Sequence, residues 1–466
     1  MTASIDSPFF WGSATASYQC EGAWREGGRV ESMWDRYLHE NKLEDGDVAS
    51  DHYHRYREDI AQMAAGNQNA YRFSLSWPRI IKNEQGDVNE EGIAFYNSVI
   101  DTCLEYGVDP FVTVYPWALP QYWEDEGGWL NEDVCRAYAH YAKVCFDAFG
   151  DRVKYWATFN EPKWFVMSGY LIGNYPPAMQ DPQACIRAAF NVMYASALGV
   201  EAFREGGYQG SVGIVHSFTP VNGVDDTLAT RIAMRYADNY CNNWVLDAAA
   251  KGEFPIDLLA DLNGRFDLSF VTPDKLATIK ANTVDFLGLN YYSRTLVRPY
   301  TEGETQLVVN NSGSSFTGRA CVVLKGWFEQ VLDDPNMKTT EWGTEIYPEG
   351  LREGLVEVAN RYHLPIYITE NGIGVAEDVS RGEVQDDYRI SFMQEHIDAI
   401  RRAQEQGADV RGYFAWSTFD LYSWKNGCKK RYGLVAVDFD NGLTRMPKKS
   451  FHWFHDFIAG EHARCR

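Results

Sequence analysis

The sequence predicts an α/β protein closed into a (β/α)8 barrel, a single domain spanning residues 1–466. Three observations carry that expectation. Short β-rich apolar runs recur eight times along the chain. Helical stretches separate them, and alternating strand and helix implies parallel strands joined by crossover helices. No Pro/Gly/Ser-rich linker divides the 466 residues, and barrels routinely exceed the usual length of one domain. An open doubly wound sheet is the competing topology. The lack of a phosphate-binding turn after the first run counts against it.

The runs are, in order, FFWGSATAS (Phe9–Ser17), AYRFSLSW (Ala70–Trp77), PFVTVYPW (Pro110–Trp117) and YWATFNEP (Tyr155–Pro162). SVGIVHSF (Ser211–Phe218), VDFLGLNYY (Val284–Tyr292), PIYITENG (Pro365–Gly372) and GYFAWSTFD (Gly412–Asp420) follow. Each is nearly continuous in apolar and aromatic residues, as a strand buried on both faces must be. Between them, Glu90–Gly107 places Ile93, Tyr96, Asn97, Ile100 and Leu104 near helical spacing and stops at Gly107. Asp386–Gly407 does the same with Ile390, Met393, Ile397 and Ile400 on one face. Eight such units close into a TIM barrel, whose chemistry sits on long loops at the C-terminal ends of several strands.

Two of those ends carry a glutamate. The fourth run ends in Asn160-Glu161-Pro162, the seventh in Thr369-Glu370-Asn371-Gly372. One buried Glu is readily a structural ion-pair partner. Two at matching strand ends suggest a shared task, because carboxylates are seldom buried without a partner or a function. Paired carboxylates across a sugar pocket are the equipment of glycoside hydrolysis, and their separation sets the outcome, about 5–5.5 Å for retention.

Composition narrows the partners. A formal charge of −22 argues against nucleic acid or an anionic membrane. No apolar run reaches the roughly 20 residues of a membrane helix. The stretch MTASIDSPFFWGS has neither the basic start nor the apolar centre of a signal peptide. The nine scattered Cys contain no C-x-x-C pair and read as reduced thiols of a cytoplasmic protein. No metal, nucleotide or other cofactor is expected: His/Cys spacing, G-x-G-x-x-G and Walker patterns are all missing. The 15 Trp and 28 Tyr supply flat faces with polar edges that suit sugar rings. A homo-oligomer is compatible with this composition.

The motifs TFNEP and ITENG resemble the two signatures of glycoside hydrolase family 1, the retaining β-glycosidases. FFWGSATASYQCEGAW, YRFSLSWPRI and FLGLNYYS resemble further segments of that family, in order, from about residue 8 to residue 458. The resemblance implies that Glu161 is the acid/base and Glu370 the nucleophile. It implies that Arg72 keeps Glu370 ionised, that Tyr292 hydrogen-bonds it and that Asn160 donates to the sugar 2-hydroxyl. Gln19 resembles a hydroxyl clamp and Trp416 a stacking platform.

The sequence departs from the family in three places. VTVYPWALP has Pro116 and Ala118 where the family usually has His and Asp, so the usual contact to the 3-hydroxyl is missing or comes from elsewhere; Trp117 is retained. Thr344 stands where many relatives carry a Trp in the leaving-group wall. In DLYSWKNGCKKRYG, Ser423 replaces the Glu that holds the 4- and 6-hydroxyls in enzymes of free sugars. Ser423, Lys430 and Tyr432 resemble the phosphate site of the family's 6-phospho-β-galactosidases and 6-phospho-β-glucosidases. A phosphate carries about −1.5 to −2 charge and suits three such donors. Trp424 leans towards a galactose-type 4-hydroxyl, while Lys425, Lys429 and Arg431 read as solvated flanking charges. The expected partner is therefore a small phosphorylated glycoside. A β-glycosidase of unphosphorylated sugars and a catalytically weak sugar-binding protein are the alternatives.

Overall fold

A computed structural model describes residues 9–308, 321–332, 334–380 and 382–464. Eight parallel strands form a closed ring: β1 (Phe10–Ala14), β2 (Ala70–Ser74), β3 (Asp109–Tyr115), β4 (Tyr155–Asn160), β5 (Ser211–Ser217), β6 (Phe286–Tyr291), β7 (Ile366–Asn371) and β8 (Val410–Trp416). Each pairs with its neighbours in chain order, and β1 closes on β8 with Phe10 opposite Gly412. This is a TIM barrel, and six of its strands fall within the apolar runs, while β3 and β8 begin one and two residues before theirs. The runs extend past the strand ends because the loop residues that follow are buried too.

The crossover helices include α1 (His52–Ala65), α2 (Glu90–Glu105), α3 (Glu132–Phe149), α4 (Pro182–Glu205), α5 (Pro348–Tyr362) and α6 (Asp387–Glu405). α2 buries Tyr96, Val99, Ile100 and Cys103, and α6 buries Met393, Ile397 and Ile400. Leu104, which the helical spacing assigned to the inner face of α2, lies exposed at its C-terminal end. No described helix is long and apolar enough to cross a membrane.

One layer was not legible in the sequence. Five strands of three or four residues, Val221–Gly223, Thr295–Arg298, Phe328–Gln330, Cys321–Leu324 and Gln306–Val308, form a second sheet in that order beside the barrel. Such strands are too short for a period-two pattern to stand out. A separate hairpin, Val435–Asp438 with Thr444–Pro447, follows β8.

Aromatic rings fill the lower barrel. Phe111 meets Tyr155, Phe286, Tyr367 and Phe414 with centroids 5.3–5.8 Å apart, and Phe10 packs on Tyr155 at 4.9 Å. Rings at these distances leave no channel. Access is confined to the end where the strands deliver their C-terminal residues.

Candidate active site

A cavity of about 290 Å³ opens at that end. Gln19, Trp117, Asn160, Glu161, Tyr292, Glu370, Trp416, Ser423, Trp424, Lys430 and Tyr432 all line it. Arg72 is buried just outside the lining and reaches Glu370. The residues to which the sequence gave a catalytic, sugar-binding or phosphate-binding role are thus gathered at one place.

Local backbone irregularity aims the two glutamates. The β4–β5 pairing shifts register between Ala157 and Asn160, and the β6–β7 pairing shifts between Ile368 and Glu370. Such bulges re-aim side chains that strict alternation would turn away. Glu161 adopts φ 50° and ψ 58°, a left-handed conformation uncommon outside glycine, at the entry to the short helix Pro162–Val166. Its N–H donates to Val215 O at 2.8 Å, which fixes the turn.

The carboxyl groups sit in one hydrogen-bonded network. Arg72 Nη1 donates to Glu370 Oε1 at 2.5 Å, and the Tyr292 hydroxyl donates to Glu370 Oε2 at 2.7 Å. Arg72 Nη2 donates to Asn160 Oδ1 at 2.7 Å and, like Nε, to Thr113 Oγ1 at 3.2 Å. Asn290 Nδ2 donates to Glu161 Oε1 at 2.9 Å and to Asn160 Oδ1 at 3.1 Å, and Thr369 Oγ1 holds Asn290 Oδ1 at 2.7 Å. The Asn160 carbonyl oxygen is therefore fully used, while its amide N–H groups have no protein partner among the described residues.

Burial first, and then the charge of Glu370, raise the Glu161 carboxyl from the ordinary range to about 8; Asn290, Arg72 and Lys163 oppose the shift. The Tyr292 hydroxyl is raised by burial and by Glu370 and stays a donor. The cavity thus holds one carboxyl that keeps its proton at neutral pH, beside another that accepts from a guanidinium and a phenol. That asymmetry suits a proton donor next to a nucleophile.

The wall after β8 is cationic. Ser423, Lys430 and Tyr432 line it, and their hydroxyls and ammonium have no hydrogen bond or ion pair among the described residues. Lys430 is only 8 % exposed, with Nζ 5.1 Å from the Trp342 ring centroid and 5.5 Å from that of Tyr432. Trp342, from the segment that precedes α5, therefore lies against Lys430, and Thr344 of the same segment faces the cavity.

Arg431 departs from the sequence reading. It is not a solvated charge: Nη1 donates to Asp420 Oδ2 and to Val437 O, both at 2.8 Å. Buried Asp420 also accepts from Lys448 Nζ and Gly433 N, each at 2.9 Å. Burial opposes the Asp420 charge, but Lys448 and Arg431 keep its carboxyl below the usual range. Lys429 is exposed on the loop, and the side chain of Lys425 lies outside the described residues.

Trp424 packs on Trp34 at 4.3 Å, Trp117 at 4.8 Å and Tyr18 at 5.6 Å. Trp117 Nε1 donates to Asn160 O at 2.7 Å, so its N–H is committed to the backbone. Gln19 is held through Nε2 to Tyr422 O at 2.8 Å, which leaves its carbonyl oxygen for a ligand. Pro116 lines the cavity and brings no donor.

Sequence reasoning missed Asn290, Thr113, Thr369 and Lys163. Asn290 had a signal, since it precedes Tyr292 by two residues, one strand period. For a metal, His39, Asp45 and Asp47 bring ligand atoms together among the described residues, but none of the three lines the cavity.

Comparison with known proteins agrees with this architecture. The family model described as Glycosyl hydrolase family 1 matches residues 1–463. A 6-phospho-beta-galactosidase of Clostridium acetobutylicum is 39% identical over 456 residues, 96% of this chain and 95% of that protein. An aryl-phospho-beta-D-glucosidase of Bacillus subtilis is 37% identical over 465 residues, 98% and 97% of the two chains. Among solved structures, a beta-glucosidase from Thermotoga maritima in complex with glucoimidazole superposes with TM-score 0.86 at 35% identity, covering 97% of this chain and 98% of that one.

Proposed function

Because the chain belongs to glycosyl hydrolase family 1, we propose that it is a retaining 6-phospho-β-glycosidase, favouring 6-phosphorylated galactosides and also open to glucosides. One observation carries the substrate class. Lys430 is a buried cation in the wall of the glutamate cavity, without an ion pair among the described residues and flanked by two hydroxyls likewise without partners there, in a chain of net charge −22. A buried ammonium without a counter-ion costs several kcal/mol, and a phosphate on the sugar's sixth carbon would offset that cost.

In this reading Glu370 attacks the anomeric carbon, and the bond to the leaving oxygen breaks as Glu161 gives that oxygen its proton. A glycosyl ester of Glu370 results. Esterification removes the Glu370 charge, one of the two causes raising Glu161, so Glu161, having given up its proton, stays a carboxylate and is free to act as the base. It then takes a proton from water, the water oxygen bonds to the anomeric carbon, and Glu370 leaves as carboxylate. The unused Asn160 amide donates to the 2-hydroxyl, Gln19 accepts from a hydroxyl, and the sugar face lies on Trp416. Trp424, wedged between Trp34 and Trp117, is a rigid wall for choosing between axial and equatorial 4-hydroxyls. Charged sugars do not cross membranes unaided, so such a substrate belongs to the cytoplasm. No cofactor enters these steps.

The test is hydrolysis of nitrophenyl β-galactoside and β-glucoside, each with and without the 6-phosphate. A strong preference for the phosphorylated pair is expected; equal rates would leave a glycosidase of free sugars. Lys430→Ala should raise KM about ten- to hundredfold for phosphorylated substrates, the size of a hydrogen bond to a charged group. Unphosphorylated substrates should change little.

A further inference from the structure

Lys430 has a counterpart across the cavity. Lys163 sits in the first turn of Pro162–Val166, lines the cavity and is only 7 % exposed. Its sole hydrogen bond among the described residues is a long one, Nζ to Thr219 Oγ1 at 3.4 Å, and no carboxylate forms an ion pair with it. Of the cavity's three glutamates, Glu345 is bound by Arg294 at 2.9 and 3.0 Å, Glu370 by Arg72 and Tyr292, and Glu161 by Asn290. Two residues before Thr219, the Ser217 hydroxyl is also buried in the cavity wall, without a hydrogen-bond partner among the described residues.

The charge of Lys163 acts on Glu161 and His216, but no carboxylate pairs with it among the described residues. A buried ammonium held by one long hydroxyl contact is left short of partners. Its place in the ring gives it a different role from Lys430. β4 and β8 lie four strands apart in the eight-stranded ring, on opposite sides of the mouth. Lys163 follows β4 and Lys430 follows β8. Lys163 is also two residues beyond Glu161, the group that protonates the leaving oxygen.

We propose that Lys163 forms, with Thr219 and Ser217, a leaving-group subsite for an aglycone that carries a carboxylate. This rests on the glycosidase reading and extends it from the sugar to the group that departs. The preferred substrate then carries two anions, one on each side of the scissile bond, each facing its own lysine. Lys163 acts here as a specificity residue; the chemistry of bond cleavage stays with the glutamates.

The experiment pairs 4-carboxyphenyl and 4-carbamoylphenyl β-galactosides, equal in shape and different in charge, with the wild-type enzyme, Lys163→Met and Lys163→Arg. The quantity read is the kcat/KM ratio of the two substrates within one enzyme, which cancels any effect of the lysine on Glu161. Lys163→Met should lower the carboxyl-to-carbamoyl ratio about ten- to hundredfold, and Lys163→Arg should keep most of it. An unchanged ratio in Lys163→Met overturns the proposal. Should that variant not fold, inhibition of the wild-type enzyme by free 4-hydroxybenzoate and 4-hydroxybenzamide decides: the benzoate must bind more tightly, and equal inhibition overturns it. Both series are run with and without the sugar 6-phosphate. Loss of the phosphate preference would remove the phospho-glycosidase reading and leave the aglycone ratio standing.

Discussion

Glu161 and Glu370 are the same side chain in different company, and the roles proposed for them rest on that company. Glu370 receives a guanidinium and a phenol; Glu161 receives one amide and is otherwise desolvated. Glu370→Gly should therefore abolish hydrolysis of even activated aryl glycosides, because no group remains to form the ester. Glu161→Ala should cost about 10²–10⁴-fold on poor leaving groups yet spare the first step for nitrophenolate, visible as a burst of product followed by slow turnover. A Glu161→Ala enzyme equally active on poor leaving groups would remove Glu161 from the mechanism. The pH profile follows with its sign. A donor raised to about 8 is protonated below that pH and loses its proton above it. kcat/KM for poor leaving groups should hold at neutrality and fall as pH rises through that value. Glu161→Gln should lack this alkaline limb.

At the scale of elements, the loop after β8 is built on a buried ionic framework. Asp420 joins Arg431, Lys448 and the Gly433 N–H, and Lys448 is shared with Glu377, which also binds Arg389 at 2.6 Å. Arg431 lies between Lys430 and Tyr432, so its anchorage sets where those two donors stand. Asp420→Asn keeps the shape and removes the charge, leaving buried cations short of a partner. The loss should be about 3 kcal/mol in urea unfolding, near the lower end for breaking a buried ionic contact because Glu377 remains. KM should also rise more for phosphorylated than for unphosphorylated substrates. A variant with unchanged stability and KM would show that this framework does not position the loop.

Across the whole molecule, closure is the governing feature. β1 is sealed only by β8, some 400 residues later in the pairing of Phe10 with Gly412, so the first and last strands depend on each other. Most of the buried apolar residues form one continuous cluster that includes Phe10, Phe111, Phe286 and Phe414, and a smaller one, Ala233, Ala237, Val297 and Phe328, lies against the second sheet. We expect the barrel and the loops of its face to unfold as one unit. Tryptophan fluorescence and far-ultraviolet circular dichroism should then give coincident urea transitions. Two separated transitions would mark the second sheet or the β8 loop as an independent domain.

The sequence by itself determined the barrel and most of the site. Eight runs buried on both faces have one economical closure, and strand-end residues of such a barrel converge whatever loops intervene. TFNEP and ITENG lay at two of those ends, and Ser423, Lys430 and Tyr432 followed a third. Tertiary structure alone decided what each charge meets. Arg431 looked like surface and is an anchor; Lys163, which the sequence did not single out, faces the cavity; Asn290 looked like part of a strand and holds Glu161. Apolar periodicity reports which face is buried, because burial of apolar surface is non-directional and adds up along an element. It does not report which distant carboxylate or amide a buried polar group will meet. Those partners lie 11 to 297 residues apart in Arg431–Asp420 and Arg72–Thr369, and only the closed ring brings them within hydrogen-bonding distance.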